Sequence, residues 1–193
     1  MRFITDFADQ ALILPLVLAI AVSLLSQGWR RGALAWLLAV FMTFAAMVGL
    51  KLVFLACAAS LGIGDLRTPS GHVAAATVVA GGLTALVPRR RAIVLAFAAG
   101  AAIVIAGSRL ALGMHSLPEV VLGAVVGLGG AWALLVLAGS PPPGLNVRRI
   151  AVVAAAVAVV FHGLHLPAEA HIRSTAWRFA HILAVCQSDE ARL

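Results

Sequence analysis

The chain has 193 residues, of which 63% are hydrophobic and 11% are charged, and its mean hydropathy is +1.08. A soluble domain carries about a quarter charged residues, so this composition excludes a soluble globular protein and indicates a membrane protein. The net charge of +7 does not indicate a nucleic-acid partner, because the arginines fall in short loops and form no basic face with interleaved aromatic residues.

Six apolar segments are predicted to form membrane-spanning helices. They cover roughly residues 11–27, 33–60, 70–87, 92–107, 117–138 and 149–164. A span needs about 17–25 residues, so the fourth segment is short and the second is long enough to project beyond the bilayer. Gly123 and Gly127 have the spacing that lets helices pack closely. We therefore expect an all-α fold, with a single membrane-embedded domain over residues 1–193 and its core over 33–138.

The arginines predict the orientation of these spans. They cluster after the first, third and fifth segments, at Arg30, Arg31, Arg89, Arg90, Arg91, Arg148 and Arg149. With six spans, these loops share one side, and the positive-inside rule makes that side the cytoplasm. Both termini and the loops near residues 61–69 and 108–116 then lie outside. The expected location is the inner membrane of a bacterium, with any site in those loops facing out.

Two polar segments interrupt the apolar chain, and the first is Pro69-Ser70-Gly71-His72. Ser70 suits the N-cap of the third predicted helix, where its hydroxyl would accept from a first-turn amide. The same helix start has free amides and a positive dipole end, and Gly71 lets an oxyanion approach the backbone. His72 would then lie in the first turn, placed to donate to a phosphate oxygen or to a leaving group.

The second polar segment runs from Ser108 to Glu119. Arg109 can bind two phosphate oxygens through its planar guanidinium. Glu119 follows His115 by four residues, about one helical turn, and a carboxylate bonded to one imidazole nitrogen would leave the other free to attack. Ser116-Leu-Pro-Glu119 is also a good capping box, which would explain Glu119 but neither His115 nor Arg109. We therefore favour a functional role.

Lys51 is the one lysine of the chain and lies within an apolar segment. Counting from Gly32 at about 1.5 Å per residue places it some 28 Å along the helix, near the outer edge of the hydrocarbon. It is either a snorkelling lysine or a cation that serves the two outer polar segments.

Taken together, Pro69-Ser70-Gly71-His72 and Ser108-Arg109-x5-His115-x3-Glu119, with a lysine before them, resemble the type 2 phosphatidic acid phosphatase superfamily. Its members are six-helix membrane enzymes whose site is related to that of vanadium haloperoxidases. The resemblance covers roughly residues 45–130.

The resemblance implies a role for each of these residues. His115 would be the nucleophile that forms a phosphohistidine, Glu119 its orienting partner and His72 the general acid. The phosphoryl oxygens would be held by Ser70, the Gly71 amide, Arg109 and Lys51. Neither a metal nor another cofactor is implied. These parts are the ones that phosphoryl transfer needs: positioning, charge neutralisation and an activated nucleophile.

The chain departs from the family pattern at two places. Glu119 stands where the family usually has Asp, which lengthens the orienting side chain by one methylene. The family's first motif is Lys-x6-Arg-Pro, but Ala58 stands seven residues after Lys51, and Arg67 is the only nearby arginine. Arg67 is therefore a second candidate for binding the phosphate.

The C-terminal part of the chain gives weaker signals. Apolar and polar residues alternate over about 167–186 with the spacing of an amphipathic helix lying on the outer leaflet. Cys57 and Cys186 both fall toward the outer side, so a disulfide between them is possible.

The sequence predicts a metal-independent lipid phosphate or diphosphate phosphatase whose substrate enters from the bilayer. Two alternatives stay open: a lipid phosphotransferase with the same site, and a non-catalytic protein that binds or transports phospholipids. Phosphatidate, phosphatidylglycerophosphate, polyprenyl diphosphate and lipid A are all candidate substrates, and the oligomeric state is open.

Overall fold

The computed structural model describes residues 1–57, 68–86, 90–166, 172, 174 and 175. Every regular element in these ranges is a helix, which confirms the all-α expectation for this part of the chain. The helices are α1 (Arg2–Asp6), α2 (Gln10–Ser26), α3 (Arg30–Cys57), α4 (Gly71–Ala85), α5 (Arg91–Ala111), α6 (Leu117–Ala138) and α7 (Val147–Phe161).

Four helical stretches in the described ranges are long and apolar enough to cross a membrane, so the protein is membrane-embedded. They are Phe3–Ser26, Arg30–Leu55, Arg91–Ala111 and Leu117–Ala138. The helices α4 and α7 have 15 residues each, or about 22 Å, against a hydrocarbon thickness of about 30 Å. The arrangement with six spans therefore stays a prediction.

The fourth apolar segment is longer than the sequence suggested. We expected a short helix over 92–107 followed by a loop, whereas α5 has 21 residues and ends at Ala111. The hydroxyl of Ser108 is accommodated inside the helix, where it donates to the Ile105 carbonyl at 2.9 Å. Arg109 consequently lies in the last turn of α5.

Contacts between distant loops show that α2 to α7 alternate in direction. At the end where the arginine loops lie, Arg31 Nε donates to the Leu137 carbonyl at 2.8 Å, and the Asn146 amide donates to Gln27 Oε1 at 2.7 Å. The polar segments singled out above lie at the opposite end. This separation of arginines from polar segments is the one expected from the sequence.

The core forms where α4 packs against α3, α5 and α6. Trp36 is buried beside Gly82, and its indole nitrogen donates to the Val17 carbonyl at 3.0 Å. On α6, Gly127 faces the Ala74 backbone and Gly123 faces the Ser70 carbonyl so closely that a Cβ atom would clash. The predicted small-residue packing is therefore present, and it sets the distance between α6 and the start of α4.

We predict that Gly123→Ala destabilises the protein by about 1–3 kcal/mol, because its methyl group would push the Ser70 backbone away from α6. Thermal unfolding in detergent would show a lower Tm. Gly129→Ala is the matched control, since this glycine lies on the same helix with nothing within 4 Å of the added carbon. Equal Tm values for the two variants would contradict the proposed close approach.

Candidate active site

A pair of side chains at the start of α6 provides the best-defined geometry of the polar end. His115 Nδ1 lies 2.9 Å from Glu119 Oε2, and both side chains are more than nine-tenths buried. Because an ionised carboxylate only accepts hydrogen bonds, Nδ1 carries the proton. The other ring nitrogen, Nε2, is then the one with a lone pair. The structure thus brings together the two residues expected to form the nucleophile and its partner.

The Glu119 carboxylate also binds two backbone amides. Oε2 accepts from the Ser116 amide at 3.0 Å, as in a capping box, and Oε1 accepts from the Thr68 amide at 2.8 Å. The capping and orienting roles considered for Glu119 are therefore not alternatives, because one carboxylate performs both. A further hydrogen bond joins the segment before α4 to the first turn of α6, since the Ser70 amide donates to the Glu119 carbonyl at 3.0 Å.

Ser70 differs from the expectation that its hydroxyl caps α4. It does occupy the N-cap position, but its side chain makes no capping hydrogen bond. The Ser70 hydroxyl is fully buried and has no hydrogen-bond partner among the described residues. A buried polar atom in this condition is costly, so the hydroxyl is suited to bind a ligand at the start of α4.

Lys51 reaches the start of α4. The position that a Cβ atom would take on Gly71 lies 3.9 Å from Lys51 Nζ. Lys51 is only 5% exposed, so it does not extend into solvent as a snorkelling lysine would. A buried ammonium beside the amino end of a helix forms a strongly positive site, suited to an anion.

Arg109 is positioned by the way α5 ends. The helix closes on Gly113, whose φ of +64° is favourable for glycine, and the turn brings the chain to His115 two residues later. The Arg109 charge acts on His115, as does that of Lys51. Burial is the largest cause that lowers the pKa of His115, and the two cations lower it further against the opposing effect of Glu119. A neutral imidazole at neutral pH follows, which a nucleophile requires.

His72 lies in the first turn of α4, with its side chain 27% exposed, and it is close enough to Arg109, Lys51 and His115 for their charges to act on it. The structure therefore gathers Lys51, Ser70, Gly71, His72, Arg109, His115 and Glu119 at one end of the bundle. The described part of the chain does not include Arg67, Cys186, the side chain of Cys57 or most of the expected amphipathic helix over 167–186.

Sequence reasoning missed two N-terminal residues that contact these groups. Asp9 Oδ2 lies 3.8 Å from His72 Nε2, and Thr5 Oγ1 donates to Ser108 Oγ at 2.6 Å, next to Arg109. The signal that could have revealed them is weak: an acidic and a hydroxyl residue just before an apolar segment that was predicted to begin on the outer side.

We predict that His115 titrates below the ordinary imidazole value of 6.5 and that Glu119→Gln lowers this pKa further. The second change follows because the substitution removes a negative charge that favours the protonated ring. Titration of labelled histidines by NMR in micelles would measure both values, with Glu119→Asp as the charge-conserving control. A higher pKa in Glu119→Gln would contradict the assigned contact.

Comparison with known proteins gives a family match for the middle of the chain. Residues 58–140 match the family model of the PAP2 superfamily. No curated protein and no solved structure gives a significant match. The matched stretch contains the residues gathered at the polar end except Lys51 and the N-terminal pair. This match supports the type 2 phosphatidic acid phosphatase superfamily for residues 58–140, in line with the resemblance of the sequence motifs.

Proposed function

We propose that the protein is a metal-independent lipid phosphate phosphatase that works through a phosphohistidine at the outer face of the membrane. Members of the PAP2 superfamily are phosphatases, which supports phosphoester hydrolysis as the reaction class. The observation that carries the finer proposal is the 2.9 Å hydrogen bond between His115 Nδ1 and Glu119, because it assigns the lone pair to Nε2.

The reaction has two steps. In the first, His115 Nε2 attacks phosphorus, the bond from phosphorus to the leaving oxygen breaks, and His72 gives that oxygen a proton. In the second, water attacks the phosphohistidine, the N–P bond breaks, and His72 takes the proton that water loses. Glu119 stabilises the positive charge that His115 carries between the two steps.

Four groups near the two histidines would stabilise the charge on the phosphoryl oxygens. Arg109 and Lys51 supply positive charge, the start of α4 supplies amides, and Ser70 supplies a buried hydroxyl without a described partner. Because these donors neutralise a phosphate without a metal, the proposed reaction needs none.

A large apolar cavity beside the site supports a lipid substrate. Its volume is about 530 Å³, and its walls come from α1, α2, α4, α5 and α7. The lining residue Ala76 lies one turn after His72 on α4, and Ile105 lies one turn before Arg109 on α5. The cavity therefore lies about one helical turn from the residue that would protonate the leaving oxygen, and the hydrocarbon part of a leaving lipid alcohol could occupy it.

The depth of the site fits the same substrate class. Lys51 lies 21 residues after Arg30, or about 32 Å along α3, which places it near the outer edge of the hydrocarbon. The arginine loops at the opposite end favour a cytoplasmic position for that end. We therefore propose an outward-facing site in a bacterial inner membrane.

This orientation predicts that an impermeant maleimide labels Met114→Cys, at the polar end, in intact cells and does not label Ser140→Cys, at the arginine end. Labelling of Ser140→Cys alone would contradict the orientation.

The proposed activity is tested by phosphate release from purified protein in detergent. Phosphatidate, phosphatidylglycerophosphate, a polyprenyl diphosphate and lipid A would be offered with a chelator present. We expect release from at least one lipid by the wild type and a loss of at least about 10³-fold in His115→Ala.

Each other outcome has a definite meaning. Equal release by His115→Ala would refute the assigned nucleophile, and loss of release on chelation would refute the metal-independent reaction. If phosphate appears on an added lipid or sugar hydroxyl instead of in solution, the protein is a phosphotransferase. If the lipids bind without any cleavage, the binding or transport function is correct.

We predict that Gly100→Phe raises KM for long-chain lipid phosphates about 10-fold or more, because its ring would occupy the 530 Å³ cavity. A short-chain soluble phosphate would show no such change. Gly129→Phe is the matched control, since Gly129 is equally uncrowded but lines a separate cavity between α3 and α6. Equal effects of both variants on the long-chain lipid would show that the cavity does not hold the lipid chain.

A further inference from the structure

Asp9 connects the N-terminal segment to the candidate active site. It follows α1 and is the N-cap of α2, and it is only 6% exposed. It lies outside residues 58–140, so the superfamily match gives it no role. A buried carboxylate is costly unless its charge is compensated, which makes its contacts informative.

The two oxygens of Asp9 have different contacts. Oδ1 accepts from the Ala11 amide at 2.8 Å, which is the capping bond of α2, and from the Leu166 amide at 3.3 Å. Oδ2 points away from these amides and lies 3.8 Å from His72 Nε2. A serine or asparagine would cap the helix as well as aspartate does. The cap therefore explains Oδ1 but not the need for a full negative charge.

The surroundings of His72 supply a reason for that charge. Three groups that carry or can acquire a positive charge act on His72: Arg109 on α5, Lys51 on α3 and His115 before α6. Burial of the ring disfavours the protonated imidazole that a general acid must be, and these groups, which suit a phosphate, disfavour it further. Asp9 approaches the same ring from α2 and has the opposite charge.

We propose that Asp9 is the positioning residue of His72: its Oδ2 stabilises the protonated imidazole and orients its Nε2–H, leaving Nδ1–H to protonate the leaving oxygen. This inference rests on the proposed phosphatase function. At 3.8 Å the pair is at ion-pair distance and too far apart for a hydrogen bond. Catalytic hydrogen bonds are often long in the absence of substrate and tighten in the substrate complex.

The proton balance gives a specific consequence. When the P–O bond breaks, a strongly basic alkoxide needs the proton from His72, whereas a nitrophenolate leaves without it. The contribution of Asp9 should therefore depend on the leaving group. A residue that only supports the fold would affect both kinds of ester equally.

The test compares two substrates with the same hydrocarbon chain: dodecyl phosphate and a nitrophenyl phosphate that carries a dodecyl chain. For Asp9→Asn we expect kcat/KM, which reports the step in which the leaving oxygen departs, to fall about 10²-fold on dodecyl phosphate and less than about threefold on the nitrophenyl ester. Asparagine keeps an acceptor for the Ala11 and Leu166 amides, so Tm should stay near that of the wild type.

Two further variants serve as controls. Asp9→Ser keeps the cap without the charge and should match Asp9→Asn, whereas His72→Asn should show the same dependence on the leaving group. Equal losses on both esters, or no loss on either, would refute the role of Asp9 while leaving the phosphatase intact. If the wild type cleaves neither ester nor any lipid phosphate, the proposed function itself fails.

Discussion

The Glu119 carboxylate is the contact on which the rest of the site depends. It binds the Thr68 amide, the Ser116 amide and His115 Nδ1 within 3.0 Å, and it is 5% exposed. These bonds attach both the segment that leads into α4 and His115, the candidate nucleophile, to one side chain. The start of α4, which would bind the phosphate, and His115 are therefore held at a fixed separation. The family usually has Asp here. Glutamate at the third position of α6 is the residue that a capping box needs, and its longer arm still reaches His115.

Segments outside the superfamily match complete the polar end. Thr5 donates to Ser108 beside Arg109, and Asp9 approaches His72. The chain after α7 then binds this N-terminal segment, since His165 donates to Asp6 at 3.0 Å and the Leu166 amide donates to Asp9. The N-terminal segment and residues 162–166 thus lie over the groups that would perform the chemistry.

Much of this arrangement could be predicted from the sequence, for physical reasons that concern particular residues. His115 and Glu119 are one turn apart, so their contact is local, and Lys51 could be placed near Gly71 by counting the rise of a helix. The length of α5 could not be predicted, because polar residues such as Ser108 and Arg109 are typical of a loop in an apolar sequence. In the structure the buried Ser108 hydroxyl donates to the Ile105 carbonyl within the helix. Ser70 occupies the N-cap without a capping hydrogen bond, although its residue type and position are those of a good cap. The pairing of Asp9 with His72 joins residues 63 positions apart, and no spacing in one sequence indicates such a contact.

The most direct test of the account is to determine which atom carries the phosphoryl group during turnover. The protein would be mixed with a labelled lipid phosphate that it cleaves, quenched in base to preserve phosphohistidine, digested, and analysed by mass spectrometry and phosphorus NMR. The account predicts one modified residue, His115, phosphorylated on Nε2 because Glu119 holds the proton on Nδ1. Phosphate on Nδ1, on His72, or on no residue during active turnover would contradict it.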